Sequence, residues 1–390
     1  MTAPSTATTS PTSVAEVREC VRDAAAQSRP LRIVGGGSWL DANRPVRADD
    51  TLVMRRVAGI VEYEPGDLTL TARAGTTLDE IMRATSVHGQ WLTLDPYGDA
   101  SQATIGATIA TASYGPLAHH FGTPRDMTLG VEFVTGAGDI VRGGGRVVKN
   151  VAGFDLTRLV TGSWGSIGVI TEVTLRLRAL PGVQATLAID IGGGGDEIER
   201  VRSGLHRMPF VPLAAELLDG ALARRLIIGN GPAVLLVRLG GNDDAVGAQC
   251  EQLRNVGDAH DVDPTVWQNL RSAEPARAAA LRLSRRPSEF AATWHDATRF
   301  VEQRLGSYCH GDPRRGVVRI VLPSAEPEKD TSLEGMLEAQ RDGGRVYERL
   351  PTTLWRSLAP TAIRNRLEHG IKAAFDPRHV LNPGILGEMT

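Results

Sequence analysis

The sequence predicts an α+β protein in two successive domains, and three observations carry that prediction. Its 390 residues are long for one hydrophobic core, so two domains are expected. Up to Pro181, strands and helices are interleaved with recurring glycine segments. Beyond Gly182 the pattern turns to β-α-β-β-α-β, the ferredoxin-like split unit of an antiparallel sheet.

Composition narrows the class. Apolar residues make up 42% and charged residues 23%, as in ordinary globular proteins. A net charge of -2, with no basic stripe carrying interleaved aromatics, argues against a nucleic-acid partner. No apolar run reaches the roughly 20 residues that a membrane-spanning helix needs. The opening MTAPSTATTSPT, residues 1–12, lacks the charged start and apolar run of a signal peptide and reads as a disordered tail. A cytoplasmic protein is expected, docked at most peripherally on the inner face of a membrane through partners. Cys20, Cys250 and Cys309 are isolated, so neither a disulfide framework nor a zinc or iron–sulfur spacing can be drawn. Only Lys149, Lys329 and Lys372 are lysines among 43 basic residues; arginine is the default cation.

The first helix begins at Ser13, with Glu16 three residues on as a capping box, and turns Val14, Val17, Val21 and Ala24 to one face. It stops near Pro30, and the strand LRIV then runs directly into GGGS. Thr77 and Glu80 form a second capping box, opening a helix that carries Leu78, Ile81 and Met82 and ends at Gly89. The helical part of DASQATIGATIATASYG is almost entirely Ala, Gly, Thr and Ile, so something packs tightly on it. MTLGVEFVTGAGDIVRGGG reads as a hairpin, with Leu129, Val131 and Phe133 alternating before a glycine-rich turn. In TGSWGSIGVITEVTLRLRALP, Gly162, Gly165 and Gly168 precede a strand. These glycines are expected to clear space for a ligand, and Val169 onward to offer unpaired backbone groups to it.

After residue 182 come a strand near 184–190, a helix from Glu197, strands LAAELL and AVLLVRL, a helix from Asp243 and a short strand near Asp261. Helices over about 265–305, the strand GVVRIVLP and a last long helix complete the second domain. The tail HVLNPGILGE is expected to pack back on the first. No fixed-period repeat is evident.

The glycine segment Gly35-Gly36-Gly37-Ser38 follows a strand, where consecutive backbone N–H groups can form a nest for a phosphate oxygen. A tight turn alone would read the same way. No G-x-G-x-x-G opens a helix within a βαβ unit and no Walker lysine follows a glycine loop, so nicotinamide and P-loop nucleotide sites are disfavoured.

Several segments taken together resemble a family. LRIVGGGS, ARAGTTLDEI, QATIGATIATASYGPLAHHFGTPRDMTLGVEFVTGAGDIV, GGRVVKNVAGFDLTRLVTGSWGSIGVITEVTLRL and DPRHVLNPGIL are similar to the successive motifs of the FAD-linked oxidases of the vanillyl-alcohol oxidase and D-lactate dehydrogenase group. Within it the likeness is greatest to the FAD-binding subunits of bacterial glycolate oxidases. It is strong over 31–181, clear in the tail and weak between 182 and 370. What the resemblance implies is a PCMH-type, two-lobed FAD-binding domain over 13–181, a cap of antiparallel sheet and helices over 182–370, and a segment from 371–390 returning to the first domain.

The resemblance also implies site residues. Gly35, Gly36, Gly37 and Ser38 match the pyrophosphate segment. Thr104, Ile105, Gly106 and Gly115 match the stretch along the ribityl and diphosphate, with Arg125 and Asp126 on the adjoining turn. Gly165, Gly168, Val169 and Ile170 match the motif at the adenine side. Lys149 near the flavin N1–C2=O edge would stabilise the reduced ring and raise its potential; a solvated surface lysine is the plain alternative. Gly36→Val and Gly106→Leu are expected to yield folded protein without FAD.

Departures from the family carry information. Covalently flavinylated relatives place a histidine after the glycines, where this chain has Ser38 and Trp39, so non-covalent FAD is expected. The D-lactate dehydrogenase type has Gly-Ser-Glu-Gly where this chain has Trp164. The metal-binding stretch H-x-G-D-G-N-x-H is represented only by CHGDPRRGVVRIVLP, so no metal site is expected, and His310 and Asp312 read as polar loop residues. Of the pair His119 and His120, one is expected to pack near the flavin and the other to face water. Oxidation of a 2-hydroxy acid needs a base at the hydroxyl and a cation for the carboxylate. Arg319, Arg345 and Arg349 can supply the cation; no base stands out.

Three functions follow. The chain can be the FAD-binding subunit of a glycolate oxidase complex, beside a paralogous flavin subunit and an iron–sulfur subunit that takes the electrons. It can be a self-contained FAD dehydrogenase for a small 2-hydroxy acid, or a flavin-binding relay without substrate chemistry. The missing histidines favour the first or third.

Overall fold

The computed structural model describes residues 7–39, 42–145, 154–255, 257–323, 344–352, 354–355, 363 and 365–387. Lys149 lies outside them.

The amino-terminal part begins with a small parallel sheet. Strand β1 (Thr8–Thr9) pairs with β3 (Asp50–Val53), which pairs with β2 (Leu31–Val34). Thr8 and Thr9, expected in a disordered tail, are thus an edge strand; β-branched threonines suit the pleat, and the free edge of β3 offers the partners. Helix α1 (Val14–Ala26) connects β1 to β2 and buries Val17, Val21 and Ala24. Ser13 caps it by accepting from the Glu16 amide. The Glu16 carboxylate instead accepts from the Thr12 amide at 2.8 Å, so the expected capping box does not close.

A five-stranded antiparallel sheet follows. It has β4 (Ile60–Glu64), β5 (Thr69–Arg73), β7 (Thr128–Val134), β8 (Ile140–Gly144) and β9 (Val169–Arg176), in the order β4-β5-β9-β7-β8. Strand β6 (Gln90–Trp91) pairs separately with β10 (Arg178–Ala179). Helix α2 (Leu78–Ser86) opens on the full Thr77–Glu80 capping box, and α3 (Ile105–Thr111) buries Ile105, Gly106, Thr108 and Ile109. Three short helices follow, α4 (Ala118–Phe121), α5 (Pro124–Met127) and α6 (Leu156–Val160). Because β9 sits between β5 and β7, its backbone groups are used on both sides. The expected unpaired sheet edge from Val169 is therefore absent.

The carboxy-terminal part is one eight-stranded sheet, in the order β14-β11-β13-β12-β16-β17-β15-β18. Its first half is the expected split unit: β11 (Val183–Ile191), α7 (Gly195–Arg207), β12 (Ala214–Asp219), α8 (Gly220–Leu226), β13 (Ala233–Gly241), α9 (Asp243–Arg254) and β14 (Ala259–Asp261). After α10 (Val266–Ser272), the second half repeats the strand arrangement with β15 (Ala279–Ser284), α11 (Phe290–Glu302), β16 (Tyr308–Asp312), β17 (Val317–Leu322) and β18 (Arg345–Arg349). Strand order β12-β13-β11-β14 in one unit matches β16-β17-β15-β18 in the other. The two join edge to edge by antiparallel pairing of β12 with β16, Leu218 opposite His310. This repeat, and β15 inside a region expected to be helical, escaped the sequence.

Alternation sets the two faces of this sheet. On one, Leu217, Leu235, Val237, Leu281, Cys309, Val318 and Ile320 pack under α7, α9 and α11, whose Ile198, Leu253, Phe290 and Trp294 complete the largest core. On the other, an apolar end under α8 and α10, with Leu218, Leu236, Trp267 and Val321, gives way to a polar centre that faces the amino-terminal part. The last helix, α12 (Arg366–Phe375), returns the chain to that part. There Leu381 bridges Leu31 in parallel and the Leu31 amide donates to the Val380 carbonyl at 2.7 Å.

Candidate functional site

A cleft with about 1070 Å3 of empty space, partly open to solvent, runs beneath the β2–loop junction. Gly35, Gly36, Gly37, Ser38, Thr104, Gly106, Gly165, Gly168 and Ile170 all line it. Tertiary folding thus gathers residues expected from three distant segments along one trough. Trp39, Tyr97, Trp164 and Asn382 line it too, and the sequence reading did not select them. Asn382 is fixed from both sides: its Oδ1 accepts from the Ile33 amide at 2.8 Å and its Nδ2 donates to the Trp164 carbonyl at 2.7 Å. Lys372 secures the same tail, donating from a buried Nζ to the Ser166 carbonyl at 2.6 Å, Asp376 Oδ2 at 2.7 Å and the Leu381 carbonyl at 3.2 Å.

The glycines act differently from expectation. A Cβ on Gly36 would strike the Gln102 carbonyl, and one on Gly35 would strike Thr104 Oγ1. On Gly106 it would sit 2.6 Å from Ala74 Cβ and 3.0 Å from the Ala74 carbonyl oxygen. On Gly168 it would meet the Phe133 ring. These positions let protein close on protein, so the walls of the trough can come together; they do not vacate its interior. Gly37 and Gly165 are needed for another reason, having φ of +83° and +68°, where a side chain is strained.

Other expected residues lie outside the cleft. Ile105 and Val169 are wholly buried core residues behind it. Asp126 caps the short helix Pro124–Met127, accepting from the Thr123 amide at 2.7 Å, and Arg125 is exposed beside it. Gly115 lines a second cavity.

Whether the trough suits a dinucleotide is tested by its polar atoms. Thr104 Oγ1 is buried with no hydrogen-bond partner, and none of the turn and loop backbone bonds among the described residues uses an amide of Gly35 to Ser38 as donor. Buried polar groups are rarely left unpaired. An acceptor-rich ligand such as a pyrophosphate satisfies both, so the residues fit the group.

The second cavity, with about 350 Å3 of empty space, lies over Tyr97, the residue common to both. It is lined by Tyr114, Glu216, Arg282, His310, Asp312, Arg315, Arg319 and Glu348, among others. His310 and Asp312, expected in a loop, are buried on β16. Pairing puts His310 opposite Arg319 and Arg319 opposite Arg282, so one polar row crosses three strands on the face toward the cleft. Glu216 is the acid in the middle of the wholly buried strand AAELLD, whose last residue, Asp219, is spent capping α8; it faces His310 with Oε2 3.1 Å from Nδ1.

Burial dominates the electrostatics. It pushes the Glu216 carboxyl up to about 8, the Asp312 charge adding to it, and pulls His310 down to about 3, aided by the Arg319 guanidinium. At neutral pH the pair is an uncharged acid and imidazole. Burial would lower Arg319, but Glu348 and Glu274 outweigh it and hold the guanidinium charged. Its Nε donates to Glu348 at 2.6 Å and its Nη2 to Glu274 at 2.7 Å. His119, from the amino-terminal part, faces Asp312 with Nδ1 3.0 Å from Oδ1. His120 is exposed. Among the described residues no three His, Cys, Asp or Glu side chains gather as metal ligands.

Glu216, Tyr97, Tyr114, Arg282 and Arg315 were not selected from sequence. A signal was present, since an acid flanked on both sides by apolar residues inside a strand needs a partner. The polar alternation Tyr308, His310, Asp312 on YCHGD also marked a sheet face.

Comparison with known proteins agrees with this geometry. A family model described as an FAD binding domain matches residues 5–144. Glycolate oxidase subunit GlcE of Escherichia coli (strain K12) is 36% identical over 239 residues, covering 60% of this chain and 67% of that one. Glycolate oxidase subunit GlcD of Bacillus subtilis (strain 168) is 27% identical over 381 residues, covering 87% and 80%. A solved p-cresol methylhydroxylase with substrate bound shares the fold, with a TM-score of 0.77 at 18% identity, covering 97% of this chain and 88% of that one. With the cleft, its orphaned polar groups and these likenesses together, the chain belongs to the FAD-linked oxidases that carry a PCMH-type FAD-binding domain.

Proposed function

We propose that this chain is the FAD-binding subunit of a complex that oxidises a small 2-hydroxy acid, glycolate by preference, to the 2-oxo acid. Residues 13–181 form the cofactor unit and 182–370 the cap over it. The single observation that carries the reading is the junction at Tyr97, which lines both a glycine-walled trough of dinucleotide character and a neighbouring pocket of arginines with the Glu216–His310 pair. Relatives named as glycolate oxidase subunits and D-lactate dehydrogenases support the substrate class.

The amides of Gly35 to Ser38, the Thr104 hydroxyl and the Trp164–Gly165 turn would hold FAD, without a covalent bond, since Ser38 and Trp39 stand where a histidine would be required. Bound flavin supplies a two-electron acceptor. The protein's own part is to bind the acid anion through the cationic pocket, exclude water between two closely packed layers, and take the hydroxyl proton at the Glu216–His310 pair. That pair accepts a proton only after Glu216 has ionised, so turnover rises with pH through about 8. With three cysteines in all, this chain cannot supply the four thiolates of an iron–sulfur cluster, which supports a separate subunit as electron acceptor, beside a paralogous flavin subunit. On this reading the complex works in the cytoplasm or on the inner face of the membrane; no described helix is long and apolar enough to cross one.

The buried Glu216–His310 pair favours a second reading, a self-contained dehydrogenase, because it supplies the base that sequence reasoning lacked. Anaerobic titration of the FAD-loaded chain with glycolate and D-lactate, alone and with co-expressed neighbouring subunits, separates the two. Flavin bleaching only with partners supports the subunit, and bleaching by the chain alone the self-contained enzyme. Bound FAD that never bleaches refutes both.

A further inference from the structure

The pocket over Tyr97 holds three arginines, and they are not equivalent. Arg319 is spent: Glu274 and Glu348 each hold one of its nitrogens. Arg282 has only a 3.5 Å approach to Glu348, whose nearer partner is Arg319, and its buried Nε has no hydrogen-bond partner. The Arg315 guanidinium forms no ion pair with any described carboxylate, although Arg315 lines the cavity. Both stack over one ring: the guanidinium carbons lie 4.7 Å (Arg282) and 4.6 Å (Arg315) from the Tyr114 centroid. Two guanidinium groups are thus gathered over one ring with only the 3.5 Å approach to Glu348 as a direct ion pair between them, an arrangement that suits an added anion.

The turn that presents Arg315 is built for rigidity. Asp312 Oδ1 accepts from the Arg314 amide at 2.9 Å and the Arg315 amide at 3.1 Å. The same oxygen faces His119 of the amino-terminal part. Tyr114 also comes from the amino-terminal part, on the segment that follows α3. A ligand held by both arginines therefore fastens the eight-stranded sheet to the cofactor side.

We propose that Arg282 and Arg315, stacked on Tyr114, are the carboxylate clamp of the substrate pocket, with Asp312 and His119 as positioning residues, and that the clamp takes a short monocarboxylate. This rests on the 2-hydroxy-acid reading and deepens it. With Arg319 paired, the described residues of the small cavity offer no second free cation cluster for a longer dicarboxylate.

The test uses the full-length FAD-loaded protein and oxalate, a two-carbon dianion no longer than glycolate that cannot be oxidised and whose one carboxylate takes the place of glycolate's, with the shift of the oxidised flavin bands as the binding readout. Arg315→Gln and Arg282→Gln should each raise the oxalate Kd about tenfold or more, which is about 1.4 kcal/mol per factor of ten, at unchanged FAD occupancy and melting temperature. Tyr114→Phe should keep the affinity and Tyr114→Leu lose it, since the ring face and not the hydroxyl is the platform. Unchanged oxalate affinity in both arginine variants, or no oxalate response in the wild type, overturns the clamp. If glycolate never bleaches the flavin while the oxalate pattern holds, the clamp stands and the functional reading falls. If glycolate bleaches wild type and Arg315→Gln with the same half-saturation, the clamp falls and the function stands.

Discussion

Glu216→Gln removes a titrating group and keeps its shape. In the native protein this carboxyl is 5% exposed and burial raises it from 4.5 to about 8. A carboxyl raised on folding contributes stability that is fully present below its unfolded value and is lost as pH rises through the folded one. The span from 4.5 to about 8, at about 1.36 kcal/mol per pH unit, puts the loss on the order of 5 kcal/mol. Glutamine stays neutral and still hydrogen-bonds His310, so its variant lacks this loss. Denaturant unfolding of FAD-saturated wild type and variant should show the wild type losing ground from about pH 5 to about pH 8 and levelling off above it. The difference between the two proteins cancels the titrating groups that do not feel Glu216; Asp95, which burial raises to about 7 with the Glu216 charge adding to it, moves with the substitution and belongs to the same effect. Parallel stability curves would refute the burial argument. Glu216→Gln should also abolish the rise of turnover near pH 8, leaving a low, flat profile.

The remaining predictions concern the trough and the tail. Gly106→Leu overpacks α3 against Ala74, 2.6 Å from a bare Cβ, and should cost about 1–3 kcal/mol or more; Gly36→Val meets backbone and should do the same. Both should lower the melting temperature of the FAD-free protein, and normal apoprotein stability in either would contradict the packing role. Lys372→Met leaves the Asp376 carboxylate buried without its ammonium, a change worth about 3–5 kcal/mol. Because that lysine secures the segment bearing Asn382, FAD should dissociate faster, as flavin fluorescence recovery would report.

The sites legible in the sequence are those set by local chemistry. The Thr77 cap, the α1 face of Val17, Val21 and Ala24 and the split unit over 183–261 each follow from spacing within a dozen residues, and each is found. Gly35 to Ser38, Thr104, Gly165 and Ile170 were legible through motif resemblance, and the structure gathers them along one cleft. Asp126, carried along by the same motif, caps a helix instead, and Arg125 stands exposed beside it. His310 illustrates the limit: read beside Gly311 and Pro313 it looks like a loop, yet pairing with β12 and β17 makes it a buried strand residue. The second split unit stayed hidden for a similar reason, because two strand orders can match without any repeated residue pattern.

By itself the sequence determined where backbone must run without side chains and which faces are apolar, since these depend on residue type and near neighbours; the cofactor class was what the segments' resemblance to a family implied. Tertiary structure decided what the glycines are for and who meets across the pocket. The first is a matter of which backbone approaches a missing Cβ. The second depends on β12 pairing with β16, which sets Glu216 against His310 across 94 residues of chain. Burial then turns that contact into an acid–base pair, and burial is a property no single segment carries.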